Sequence, residues 1–284
     1  MAKSPEGGLR LPALGRRLLA AAVLVPLVVW IVLQGGWLFL GFNALWMLRL
    51  AWEFGAMRKA RGRRHGGALF GAMVLALLAA FRWSGLSMGL ALYVLMALAL
   101  FGFEALRGRI EGATDRAGEK LLILFYLGLL PSHWALLREL PLEAGLPYIA
   151  GGHWFLFAAG VTWLGDTFAY FVGSVWGRHS LRSPVSPRKS VEGVLGGLGG
   201  AVLSAWVLAP YWARFLSPWQ IVVVGLLLSA AGQLGDLFES LLKRDSAIKD
   251  SGSILPGHGG FLDRVDSMLF SIPVFYYLLH WAIL

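Results

Sequence analysis

The chain has 284 residues, of which 57% are hydrophobic and 14% charged, and it carries a formal net charge of +9 with no cysteine. Soluble domains have about a quarter of their residues charged, so this composition excludes an ordinary water-soluble globule and indicates a polytopic membrane protein. The lack of cysteine excludes disulfides, thiolate nucleophiles and Cys-ligated zinc, and the basic surplus is read as cytoplasmic loops touching anionic membrane lipids, not as a nucleic-acid surface.

Apolar stretches run over 17–34, 37–57, 68–82, 86–104, 120–137, 153–174, 194–214, 219–239 and 267–284. Most are close to the ~20 residues that a helix needs to cross a bilayer. The expected fold is an all-α integral membrane protein of about nine transmembrane helices, one per stretch. The third stretch is short, and the turn Arg82-Trp83-Ser84-Gly85 after it is tight. Pro26, Pro131 and Pro210 fall inside stretches, which membrane helices tolerate because neighbours re-satisfy the freed backbone groups. The first stretch follows Arg16 and Arg17 without a small-residue cleavage site, and is read as a retained signal anchor. With the N-terminus cytoplasmic, 21 of the 25 Lys and Arg residues lie in inside segments. Arg82, Arg138 and Arg214 lie outside, and Arg49 lies within the second stretch. This bias predicts a cytoplasmic N-terminus and an outside C-terminus. Trp37, Trp83, Trp154, Trp176 and Trp219, near span ends, are expected in the interfacial belt.

Function divides the chain into two regions: N-terminal helices with basic loops over 1–145, and a catalytic region with polar loops over 146–284. Asp166, Glu192, Asp236, Glu239, Asp245, Asp250, Asp263 and Asp266 are half of the sixteen acids, and all lie in the second region. Asp236, Glu239, Ser240 and Lys243 are spaced i, i+3, i+4, i+7 and so share one helix face. A carboxylate at the membrane boundary, as Asp236 is, is expensive without a cation, a partner or water. Asp263 and Asp266 open the ninth stretch, where Asp266 is read most simply as complementing the helix dipole. Asp245 is expected to be a solvated loop charge. Between the two acidic helix ends, Gly252, Pro256, Gly257, Gly259 and Gly260 surround His258 in a loop able to bring N–H groups against phosphate. Two acidic helix ends with Lys and Arg nearby suit Mg²⁺ and a polyphosphate. The loop 177–193 offers Arg178, Arg182, Arg188 and Lys189 with Ser186, Ser190 and Glu192, a cradle for an anionic substrate. Asp166, mid-span, is expected in the same cleft. Gly196 and Gly200 are read as a helix-packing pair, not as part of a dinucleotide fingerprint. No Walker sequence and no internal repeat is present, and all acids but Asp166, Glu53 and Glu104 fall in loops or at helix ends. Both facts weigh against a transporter.

Ser240-Leu-Leu-Lys243-Arg244, Lys249-Asp250, Gly252, Leu255-Pro256, His258-Gly259-Gly260-Phe261 and Asp263-Arg264-Val265-Asp266 together resemble the complete signature of the phosphatidate cytidylyltransferases. "GDTFAYFVGSVWGRH" and "SPRKSVEG" are similar to the family's preceding blocks, with Arg188 and Ser190 where Lys and Thr are common. The resemblance implies that CTP and phosphatidate give CDP-diacylglycerol and pyrophosphate at the cytoplasmic membrane face. It implies a magnesium-dependent two-cation centre on Asp236 and Asp263, and a homodimer. Asp236, Asp263, Lys243 and His258 are the expected catalytic residues. Those expected to meet substrate are Arg188, Lys189, Ser186, Arg244, Lys249, Arg264, Asp166, Ser240, Gly259 and Gly260. A CTP-dependent kinase, or a cytidylyltransferase for another anionic lipid, would use similar parts.

Overall fold

The computed structural model describes residues 13–59, 67–181, 185–248 and 260–283, whose regular structure is helical, mostly α with two π-helical segments, but for one antiparallel bridge between Ser180 and Ser190. The helices are α1 (Ala13–Gln34), α2 (Gly36–Lys59), α3 (Gly67–Leu106), α4 (Ala113–Ile123), α5 (Leu130–Glu143), α6 (Ile149–Trp176), α7 (Val191–Trp212), α8 (Pro218–Asp245) and α9 (Leu262–Leu278). A wide π-helical turn, Leu124–Leu129, joins α4 to α5 just before Pro131, a residue whose ring and missing N–H disturb a regular helix. Ser132 donates to the Gly128 carbonyl and Asn43 to that of Pro131, which re-satisfies part of this backbone.

Among the described residues, five segments are long and apolar enough to cross a membrane: Gly67–Leu106, Ala113–Glu143, Ile149–Trp176, Val191–Trp212 and Pro218–Asp245. Large apolar side chains such as Leu45, Leu95, Leu106, Leu195 and Val207 are more than half exposed around the bundle. A soluble monomer does not show so much apolar surface, so the bundle is that of an all-helical membrane protein. The tight turn expected after the third stretch lies at Gly85, whose φ of 72° falls in the left-handed region open to glycine. Across it the chain doubles back: a Cβ on Gly89 would lie 2.5 Å from the Phe81 ring, whereas eight residues of straight helix span about 12 Å.

One apolar core runs through both sequence regions, from Val32, Phe39 and Phe54 through Trp134 and Phe157 to Leu269 and Phe275. Trp37, Trp83, Trp176 and Trp219 are exposed, but Trp154, expected beside them in the belt, is 3% exposed and packs on Phe215. Arg138 is fully buried and donates to the carbonyls of Val32, Leu33 and Tyr148. It thereby satisfies acceptors that the end of α1 leaves without helical partners.

Two close approaches position the polar residues. α6 and α7 pack through the glycine run, with Gly196 against Val172 and Gly200 against Phe168, the packing role expected of that pair. α8 meets α9 at Gly235, where a Cβ would stand 2.4 Å from the carbonyl oxygen of Asp266. Only glycine allows this contact, and it brings the first turn of α9 against the acidic face of α8.

Candidate active site

The acidic face read from the spacing exists. Asp236 and Glu239, one turn apart on α8, meet Asp266 from the first turns of α9, with one oxygen of each lying within 4.8 Å of the others. Glu239 is fully buried and Asp266 is 9% exposed. Lys243, one turn beyond Glu239, contacts its carboxylate and directs a hydrogen bond of 2.6 Å to Asp263 Oδ1. The other oxygen of Asp263 accepts the Gly260 N–H at 2.8 Å. Asp263 is therefore held by Lys243 and the end of the glycine segment, and the trio of converging acids contains Asp266.

The basic cradle approaches from the other side. The bridge between Ser180 and Ser190 closes the loop into a hairpin, with Leu181 N–H donating to the Lys189 carbonyl and Val191 N–H to that of His179. Ser190 caps α7 by accepting the Gly193 N–H at 3.1 Å, one of the donors that a helix start leaves unpaired. From this entry Lys189 Nζ reaches to 2.8 Å from Asp236 Oδ2. The Ser186 carbonyl accepts the Lys189 N–H, and Arg244 Nε reaches the Val185 carbonyl at 3.5 Å, which ties the end of α8 to the same loop.

Between α6, α7 and α8 lies a cavity of about 450 Å³ whose lining includes Asp166, Tyr170, Arg188, Lys189, Gln233 and Asp236. Its volume falls in the range of small-molecule sites, about 300–1,000 Å³. Asp236 is the residue shared by this cavity and the acid trio. A second cavity, about 850 Å³ between α2 and α3, is lined among the described residues by Gly, Ala, Leu and Trp, with Lys59 as their one charged residue. Ser240 is half-buried on α8 and Arg264 is exposed on α9. Lys249, His258 and Gly259, together with Asp250 and Gly252, lie outside the described residues.

Asp245, expected as a solvated loop charge, is half-exposed at the end of α8 and is also an ion-pair partner of Arg58, which binds Glu119 of α4 as well. The basic end of α2 reaches the end of α8, a neighbour invisible from local sequence. Sequence reasoning also missed Gln233, whose amide donates to Ser229 at 3.0 Å beside the cavity. Glu53 of α2 was missed too: fully buried, it accepts the Phe261 and Leu262 N–H groups, each at 2.9 Å. A lone carboxylate inside an apolar stretch was the available signal.

This all-helical membrane protein thus gathers carboxylates and lysines at its helix ends, beside a cavity. The chain belongs to the cytidylyltransferase family, whose model matches residues 15–282. It is 34% identical over 286 residues to the phosphatidate cytidylyltransferase of Synechocystis sp., covering 92% of this chain and 95% of that protein. The identity is 42% over 166 residues to the Bacillus subtilis phosphatidate cytidylyltransferase, covering 58% and 59% of the two chains. It is 46% over 129 residues to that of Staphylococcus saprophyticus, where the match covers 45% of this chain and 50% of its relative.

Proposed function

We propose that this cytidylyltransferase uses phosphatidate as the acceptor and CTP as the donor, forming CDP-diacylglycerol and pyrophosphate at the cytoplasmic membrane face. The observation that carries this reading is the position of Asp236, common to the acid trio, to the Lys189 pair and to the cavity. The names of the relatives support the acceptor.

The donor set fits Mg²⁺. Asp166, Asp236, Glu239, Asp263 and Asp266 gather around two ammonium groups, Lys189 and Lys243. The buried Glu239 carboxylate has the Lys243 ammonium against it, and Lys243 is shared with Asp263. Converging carboxylates with so little compensation are costly out of water, and oxygen ligands suit a hard divalent ion. Asp236, Glu239 and Asp266 would hold it, with Asp263 held beside them by Lys243. Bound there, the ion would neutralise charge on the triphosphate and on departing pyrophosphate.

The protein's own residues do the rest. A lipid phosphate oxygen attacks the α-phosphorus of CTP, a new P–O bond forms, and the bond to pyrophosphate breaks. The attacking group is already an anion, so no side chain need become covalent and catalysis reduces to alignment and charge stabilisation. Arg188 and Lys189, which line the cavity, and Lys243 and Arg244 in the last turn of α8 supply the cations. Ser186 precedes Arg188 in the same loop and Ser240 follows Glu239 on α8, and the Gly260 N–H acts by holding Asp263. Purified protein with phosphatidate and Mg²⁺ should form a CDP-lipid from CTP and little product from ATP or GTP. Equal turnover with ATP would contradict the donor assignment.

The same reading sets the chain in the cell membrane as about nine spans, the two arms of α3 crossing separately, with the N-terminus and the cleft cytoplasmic; the Lys and Arg asymmetry supports it. Single cysteines introduced over 58–65 and 177–192 should react with an impermeant thiol reagent only after the membrane is opened. Reaction at 58–65 on intact cells would overturn this topology.

A further inference from the structure

Glu53 belongs to the region that looks least chemical, yet it grips the start of the helix that carries Asp263 and Asp266. Its carboxylate is fully buried and accepts the N–H groups of Phe261 and Leu262, both at 2.9 Å. Arg49, one turn earlier on α2, bonds Glu53 at 2.9 Å, and its guanidinium also lies 5.5 Å from the Phe261 ring centre and 4.1 Å from that of Trp52. Phe261 in turn packs edge-on against Trp46 of α2. Directly before these residues, the Gly260 N–H holds Asp263 Oδ2. Three successive backbone N–H groups, of residues 260, 261 and 262, are thus fixed by two carboxylates.

The geometry points to Glu53 as a positioning residue for the transferase reaction: it anchors the first turn of α9 to α2, and so sets where Asp263 and Asp266 stand relative to Asp236 and Glu239. A structural staple of equal strength elsewhere in the bundle would hold the fold. This one holds the joint between the glycine segment and two acids of the cleft. The inference rests on the proposal that the acid trio holds the metal ion. Outer partners of metal ligands typically matter about 10–100-fold in ion affinity or activity.

Glu53→Gln is nearly isosteric but has one acceptor oxygen, and its amide N–H₂ would face a backbone N–H. Mn²⁺ binding to the full-length protein in nanodiscs, without nucleotide and followed by its electron spin resonance, reads the effect directly. Glu53→Gln should raise the half-saturating Mn²⁺ concentration about 10-fold or more, and Glu53→Asp, with charge kept but reach shortened, should fall between it and the unaltered protein. If Glu53→Gln fails to fold, Glu53→Asp alone decides. Asp236→Asn, measured alongside, should abolish the binding and leave the signal of free Mn²⁺ undiminished. Loss of binding in Asp236→Asn with unaltered affinity in both Glu53 variants, even with a lowered melting temperature, would make Glu53 a mere staple and overturn the inference while sparing the metal site. Unaltered binding in Asp236→Asn would overturn the metal site and the inference together.

Discussion

Asp236→Asn is expected to purify as a folded protein and to transfer CMP about 10²-fold more slowly or worse at ordinary Mg²⁺, because removing one preorganised charge contact in an active site has that scale of effect. The substitution keeps the volume of the side chain. Asp236 is partly exposed and pairs with Lys189 across the mouth of the cleft, so the fold does not depend on its charge. Its loss removes one ligand of the trio and frees Lys189. The comparison is Asp115→Asn, an exposed acid in the first turn of α4, which should turn over normally. Rates measured against Mg²⁺ concentration, on variants with matched melting temperatures, decide the matter. Normal turnover by Asp236→Asn would place the ion elsewhere.

Lys243→Met should lose both activity and stability. Lys243 contacts the Glu239 carboxylate and bonds Asp263 at 2.6 Å, and its side chain is 14% exposed. Removing one partner of a buried ion pair typically costs about 3–5 kcal/mol, because the other charge stays buried without compensation. Here two acids lose the same cation, and Asp236 and Asp266 stand beside them. The apparent melting temperature should therefore fall, and added Mg²⁺ should recover more of it in the variant than in the unaltered protein, since any ligand that prefers the folded state stabilises it. A variant as stable as the parent, with a melting temperature equally insensitive to Mg²⁺, would show that the carboxylates do not share Lys243 as their counter-charge.

Much of this was legible from sequence because it depends on spacing along single helices. Apolar stretches fall mostly within helices, and the i, i+3, i+7 pattern of Asp236, Glu239 and Lys243 forms one polar face. What depends on the crossing of helices was not legible. Asp263 and Asp266 look equivalent at the start of α9, but the contact at Gly235 turns Asp266 to the trio while Lys243 takes Asp263. Asp245 looked solvated because Arg58 is 187 residues away in the chain. Glu53 and Arg49 looked like stray charges in an apolar stretch until α2 was seen to run past the start of α9. Local pattern carries no information about such neighbours, although an acid inside a membrane helix is reason enough to ask what it holds.

Transfer of the cytidylyl group to a lipid phosphate is distinguished from phosphorylation by following two labels. Purified protein is given phosphatidate and Mg²⁺ with CTP labelled on either its α- or its γ-phosphorus. The α label should enter the lipid as CDP-diacylglycerol while the γ label leaves as pyrophosphate in equal amount. Appearance of the γ label in the lipid, with the α label left on soluble CDP, would mean a kinase and would contradict it.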